Sequence, residues 1–439
     1  MAGPVVEQTP SMARPTFTVG VGTHLRHSKD EIEKGLRVMK EAGISSFRED
    51  VPWKQVEQTE GQLAIPSQWD AYVDQAIQLV IEPLLILDYG NRFYDGGDKP
   101  LSERAMQGFV RYCEFVVRHF KGRVRQYEIW NEWDAALGHT TPGSAADYVR
   151  LAQRVYPAIK GIEPGITVLA GTVTFESMLG SRVDQFLGAL GVHTRWLDEL
   201  IAAGVLRYAD GLSLHPYVYK HPHIDKRTPE AWAHWLDEIQ TDLRSHHQGR
   251  TVPLYITEMG WPTHKAPTGV TAERAADYLP RMLLLARTLP YVKGVWWYDL
   301  RDDGWDERNG EHNYGLLRPD LRPKPAYASL LAVADLAGRA EYLGRYETGD
   351  PALWILRFRA SSGDEVWALW YTGTAARHIV LSYPAPEIRL TEVRRLGDRA
   401  VEHRCLPAPG PVVCHLPLTI EGTPWFLKGR LQNLDVALQ

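Results

Sequence analysis

Apolar residues fall along this chain in two different rhythms, and the change between them comes near residue 338. Up to that point, runs of continuous hydrophobicity alternate with stretches of 3.6-residue periodicity. The continuous runs, built from apolar, β-branched or aromatic residues, are 17–22, 44–48, 83–88, 126–131, 167–172, 210–215, 253–258 and 294–299. A strand that is apolar on both faces is one covered on both faces, as in a parallel sheet flanked by helices. The helical stretches begin with recognisable caps. Ser28 with Glu31, Ser67 with Asp70 and Ser144 with Asp147 have capping-box spacing. Thr228 stands before Pro229 as an N-cap before a first-turn proline, and Thr271 opens another helix. Gly43 and Gly122 follow two helix ends, where a left-handed residue closes the last turn.

Eight βα units over residues 16–338 predict an α/β fold, a (β/α)₈ TIM barrel. A doubly wound sheet is the alternative, but it calls for a Gly-rich phosphate loop after an early strand, and none follows any of the early runs. Beyond the barrel the rhythm becomes short alternating runs at 354–358, 365–371, 377–383, 388–396 and 412–418, separated by Gly, Pro, Asp and Ser. That pattern predicts an accessory antiparallel β-domain over 339–435, sandwich-like, to which the opening run 16–22 could also add a strand.

Composition narrows the partners. A net charge of −5 gives no basis for a nucleic-acid or anionic-membrane partner, and no apolar run reaches the ~20 residues that span a bilayer. The first fifteen residues lack the apolar core of a signal peptide, as expected of a cytoplasmic protein or of one whose export signal has been removed. Cys113 reads as a small core residue, while Cys405 and Cys414 flank a Pro-rich turn that suits either a hairpin disulfide or two thiols. Fifteen Trp and twenty Tyr are more unusual: most must be core, yet sugar clefts also use flat aromatic faces.

The candidate chemistry sits at two strand ends. QYEIWNEWD (126–134) breaks from an apolar run into Asn131-Glu132, and LYITEMGWP (254–262) carries Glu258 just before Gly260. In a barrel the site lies at the C-terminal ends of the strands, here the fourth and the seventh. Two carboxylates so placed suit the acid/base and nucleophile of a glycosidase. Either Glu alone would read as a rim salt bridge; the pair reverses that. Arg48, ending the second run in FREDVPW, pairs either locally with Glu49 or Asp50 or with a catalytic carboxylate. Trp53 in the same stretch, His24 after the first run, and His215 and Tyr217 in HPY are further candidates for substrate contact. His27 is near enough to His24 to compete for that role. In WWYDLRDD (296–303), alternation puts Trp296 and Tyr298 on one face and Trp297 on the other. No metal or cofactor is expected, since KHPHID (220–225) reads as a solvated loop.

These motifs resemble clan A glycoside hydrolases, whose fourth strand ends in Asn-Glu and whose seventh ends in the nucleophilic Glu. The resemblance implies that Glu132 is the acid/base, Glu258 the nucleophile, Asn131 a partner of the sugar 2-hydroxyl, and Arg48 the cation that keeps Glu258 ionised. It also implies that Tyr217 or His215 hydrogen-bonds the nucleophile or the sugar, and that Tyr298, four residues before Asp302, is the aromatic platform. Trp297 then packs under a helix. Within the clan, FREDVPWKQVE (47–57), LSLHPY (212–217), YITEMGW (255–261) and NYGLLRPDLRPKPAY (313–327) are similar to family 39, which includes β-xylosidases and exopolysaccharide hydrolases. The implied activity is retaining hydrolysis of β-glycosidic bonds in oligo- or polysaccharides. A catalytically silent carbohydrate-binding barrel is the competing reading, and a metal-dependent hydrolase would need a His-x-His after the first run, where Thr23-His24-Leu25-Arg26 stands instead. One departure is Trp133, which occupies the place of the clan's usual Pro.

Overall fold

In the computed structural model of the chain, residues 17–24, 29–135, 143–178, 196–385, 389–403, 412–431 and 433–439 are described. Eight parallel strands close into a barrel in sequence order: β1 (Thr18–Gly22), β2 (Ser46–Pro52), β3 (Glu82–Asp88), β4 (Gln126–Ile129), β5 (Thr167–Thr174), β6 (Gly211–His215), β7 (Leu254–Met259) and β8 (Val292–Trp297). The fold is thus the predicted (β/α)₈ barrel. Strand β1 pairs with β2 and β8, so the opening run serves the barrel rather than the later sheets.

Helix starts follow the caps where the side chain reaches its amide. The Oγ of Ser144 accepts from the Asp147 amide at 3.1 Å, and Thr228 and Thr271 accept from Ala231 and Arg274 at 3.3 and 3.1 Å. Ser67 is different. Pro66 takes the cap position of that helix and Ser67 is already its first residue, so no side chain caps it. Gly43 and Gly122 both adopt positive φ, 73° and 78°, at the ends of the helices they follow. Ser28 and His27 lie outside the described residues.

The barrel floor is a small apolar layer of Leu84, Leu169 and Trp296, with Tyr255 packed against it. Its indole N–H donates to Ser46 Oγ at 3.0 Å. Gly20 makes this possible, because a Cβ there would lie 2.3 Å from the Trp296 ring. Above the floor the lumen turns polar, and that is where the site begins.

After the helix Pro325–Arg339, two antiparallel sheets follow. One has six strands in the order β14-β13-β16-β11-β10-β9 and the other three, β15-β12-β17. They comprise β9 (Glu341–Arg345), β10 (Leu353–Arg359), β11 (Glu365–Tyr371), β12 (Arg377–Ala385), β13 (Arg389–Arg395), β14 (Val401–His403), β15 (Val412–Ile420), β16 (Trp425–Arg430) and β17 (Asp435–Leu438). Period-two alternation sorts their side chains. Leu353, Ile355, Trp367 and Leu369 join Ile379, Leu381 and Tyr383 in a core between the sheets, while Leu356, Phe358, Ala368 and Trp370 join the barrel's own core. Strand β17 runs to Leu438 and pairs with β12, so the sheets use residues past 435. Cys113 is buried and free; Cys405 lies outside the described residues. No helix among the described residues is long and apolar enough to cross a membrane.

Candidate active site

Strand alternation delivers most of the polar lumen. Ser46 and Arg48 on β2, Glu128 on β4, and Ser213 and His215 on β6 are each two residues apart or alone, and all are buried. Strand β7 breaks the rule usefully. Its pairing with β8 slips between Ile256 and Met259, and consecutive residues Thr257 and Glu258 both reach the lumen network. At the end of β4 the chain turns sharply, with Trp130 at φ 66° and Glu132 at φ 46°. Such left-handed positions are uncommon for side chains of this size and are held by surrounding structure. Here Trp130 donates its amide to the Leu87 carbonyl and its own carbonyl accepts from Thr172 Oγ1, at 2.9 and 3.0 Å.

Arg48 is the hub. Its Nε donates to Glu128 at 2.6 Å, its Nη1 to Glu258 at 2.5 Å and its Nη2 to Asn131 Oδ1 at 2.9 Å. The local pairing with Glu49 or Asp50 therefore gives way to a cross-barrel one. Tyr217 donates its hydroxyl to the other Glu258 oxygen at 2.7 Å. Burial alone would raise the Glu258 carboxyl, but His215, Arg48 and the Tyr217 hydroxyl outweigh it and hold the group below the usual carboxylate range. Glu132 faces His215 instead, with Nδ1 2.8 Å from its Oε1. Against burial, the charges of Glu258 and Glu132 raise the imidazole above its ordinary value. Asn131 completes the pair's surroundings by donating Nδ2 to Tyr89 Oη at 3.2 Å.

One oxygen of Glu132, one of Glu258 and a His215 nitrogen lie within 4.8 Å of one another. His24, Asp299 and Asp303 form a second such trio. Each trio has the atom types of a metal site, yet each already contains a short His–carboxylate contact, at 2.8 Å for His215–Glu132 and 3.1 Å for His24–Asp303.

Of the sequence candidates, Glu132, Glu258, Arg48, Asn131, His215 and Tyr217 come together directly. Tyr298 stands edge-on to Tyr217, Tyr314 and His24, with ring centroids 6.3, 5.1 and 5.8 Å apart, so it and His24 border the same mouth. Trp297 points the other way, buried, with its indole N–H donating to the Tyr314 carbonyl at 3.1 Å. Trp53 is the exception. It is fully buried, stacked 4.6 Å from Tyr94 and bound to Glu57 at 2.7 Å, which makes it a core residue rather than a substrate contact.

Sequence reasoning missed Glu128, Ser213, Thr257, Tyr89 and Tyr314. The first had a usable signal: a carboxylate inside an apolar strand, four residues before Glu132. Glu128 is wholly buried, and Ser213 Oγ and Thr257 Oγ1 both donate to its Oε1. The others depend on which side of the barrel they face.

No family model matches this chain, and no curated protein matches it in sequence. Solved structures do. A family 39 glycoside hydrolase from the gut symbiont Bacteroides cellulosilyticus WH2 superposes with a TM-score of 0.70 at 25% identity, covering 95% of this chain and 81% of that one. The chain is a glycoside hydrolase, similar to family 39. Two more distant structures share its fold over 95% of its length. They are a monomeric β-xylosidase from Caulobacter crescentus CB15 (TM-score 0.65, 15% identity, 97% of that chain) and the GH39 enzyme from Xanthomonas axonopodis pv. citri (0.63, 15%, 95%). The likeness covers 95% of this chain in each case, and the substrate of this glycosidase is a carbohydrate.

Proposed function

We propose that this glycosidase hydrolyses β-linked oligo- or polysaccharides with retention, using Glu258 as nucleophile and Glu132 as acid/base. The observation that carries the reading is the pairing of environments: two carboxylates with oxygens within 4.8 Å, one gripped by Arg48 and Tyr217, the other by His215. Retaining enzymes hold their carboxyls ~5 Å apart, whereas inverting ones need ~6.5–9.5 Å to admit a water. In the first step Glu258 attacks the anomeric carbon while Glu132 protonates the departing oxygen, leaving a glycosyl ester. Esterification removes the charge on Glu258. In the second step Glu132 takes a proton from water, whose oxygen attacks the same carbon and frees Glu258. Asn131 has one Nδ2 hydrogen on Tyr89, and its second serves the sugar 2-hydroxyl, a contact that strengthens in the transition state. Tyr298 offers its ring to the sugar face, and His24 a donor at the mouth.

Azide separates the two roles. From a β-aryl glycoside, Glu258→Gly with azide is expected to yield the α-glycosyl azide, and Glu132→Ala with azide the β-glycosyl azide. Wild-type hydrolysis that inverts the anomeric centre, or full activity in Glu258→Gln, would overturn the assignment. A wild type that binds glycosides without cleaving any would favour the silent carbohydrate-binding barrel. The sugar itself is then identified by screening aryl β-glycosides, with β-xylosides first.

A further inference from the structure

Behind the two carboxylates lies a buried polar chain that the proposed chemistry does not use. Glu128 Oε1 accepts from Thr257 Oγ1 at 3.0 Å and from Ser213 Oγ, and Thr257 Oγ1 in turn lies 3.0 Å from His215 Nε2. Ser213 and Thr257 hydroxyls are themselves 2.5 Å apart. A threonine hydroxyl has a single hydrogen. An ionised carboxylate is the stronger acceptor, roughly twice as strong as a neutral one, and Glu128 is the ion-pair partner of Arg48 Nε at 2.6 Å. The Thr257 hydrogen therefore goes to Glu128, directly or through Ser213, and Thr257 presents a lone pair to His215. Nε2 must then carry a hydrogen. The remaining ring nitrogen, Nδ1, is the one 2.8 Å from Glu132.

We propose that Glu128, acting through Thr257, fixes the His215 imidazole so that Nδ1 faces Glu132 and the two groups share the proton that is delivered to the leaving oxygen. This rests on Glu132 being the acid/base. Before the first step the Glu132–His215 pair holds one mobile proton and has no net charge. After that proton has passed to the leaving oxygen, the pair carries one negative charge, and the hydrolytic water restores the proton. Glu128 and Thr257 are positioning residues, since neither meets the sugar.

The charged groups around the pair are consistent with one shared proton. His215 faces Glu132 from the turn after β4, Glu258 from β7 at 3.5 Å and Arg48 from β2. Glu132 also feels Asp134 beside it, Lys220 from the segment after β6 and Glu311 from the segment after β8. The carboxylates favour keeping the proton in the pair; Arg48 and Lys220 oppose it.

The test uses the dependence of rate on the leaving group. Thr257→Val removes the fixing hydroxyl and nearly preserves shape; Thr257→Ser restores it. On phenyl β-glycosides of the sugar chosen by the screen, which need acid assistance, Thr257→Val is expected to lose about tenfold or more in kcat/KM. On the 2,4-dinitrophenyl glycosides, which need little, it should stay within about twofold. The alkaline limb of the kcat/KM profile should move down by roughly one pH unit, and Thr257→Ser should recover all three properties. Equal losses on both leaving groups, or an unmoved alkaline limb with unchanged rates, would overturn the proposal. Glu132→Gln is run beside it. If that variant shows no leaving-group dependence, the acid/base assignment has failed; if it does and Thr257→Val does not, only the Glu128 relay has.

Discussion

His24 shows how much a single side chain's meaning depends on its neighbours. In the sequence it was a possible sugar contact after the first strand. In the fold its Nδ1 lies 3.1 Å from Asp303 and 3.7 Å from Asp299. Partial burial opposes the charged form, but the Asp303 hydrogen bond and the charges of Asp299 and Glu49 prevail and push the imidazole up to about 10. A folded value above the unfolded one means stability that is complete below the ordinary histidine range and lost as pH rises through the folded value. The window here runs from ~6.5 to about 10. His24→Gln should therefore be destabilised at pH 6 and match the wild type above pH 10, as followed by urea unfolding. A third of the side chain is exposed, so solvent will mute the difference. A gap that stays constant across that range would show that His24 acts by packing instead.

At the scale of elements, Trp133 was the departure from the clan pattern. It replaces a residue with no N–H and a small ring by one that ties the β4 end to the next helix. The indole is fully buried, donates to the Ser144 carbonyl at 3.1 Å, and packs edge-on against Trp130 and Tyr148 at 5.0 and 5.7 Å. Gly143 leaves room for it, since a Cβ there would fall 2.0 Å from the indole nitrogen. Lys99 adds a second tie, donating Nζ to the Ala135 carbonyl at 3.1 Å. Glu132 is thus held between Asn131, tied to Arg48 and Tyr89, and the anchored Trp133. Trp133→Ala should cost about 3–5 kcal/mol of stability, as large aromatic deletions from cores do. It should also lower kcat more than it raises KM, because Glu132 would lose its fixed angle while the remaining contacts persist. Calorimetry and steady-state kinetics on one preparation would check both. Unchanged kcat in a destabilised protein would mean the loop holds its shape without the indole.

At the scale of the molecule, the later sheets are locked to the barrel through a buried ion pair. Arg281 on the helix Ala272–Ala286 reaches Glu230 on the helix Pro229–His246 and extends Nη1 toward the Gly422 carbonyl at 3.4 Å. Trp370 of β11 donates to the same Glu230 at 2.7 Å. Removing one partner strands a buried charge, so Arg281→Met should lose about 3–5 kcal/mol in denaturant unfolding. Its kcat/KM in the folded range should stay within about twofold, because the pair lies outside the barrel lumen. A large kinetic loss would imply that the sheets support the site. As for legibility, continuous apolar runs and caps were enough to count eight strands, and the Asn-Glu and Glu motifs singled out the two carboxylates now proposed as the reacting pair, because backbone pattern and local motif are written in consecutive residues. The short edge strands β9, β14 and β17 were missed, since such strands carry little hydrophobic signal, and so was β16, a six-residue strand that lies between β13 and β11. Trp53 was misplaced for a related reason: an aromatic residue near a strand end looks the same whether it faces the mouth or a helix. Apolar rhythm and local motif alone were enough for the barrel and for the two carboxylates at its strand ends. It took the folded barrel to show that Arg48 crosses to Glu128 and Glu258, that β7 presents Thr257 and Glu258 together, and that His215 contacts Glu132. Those contacts join residues 80 to 210 positions apart, and only barrel closure and strand register bring them within hydrogen-bonding distance.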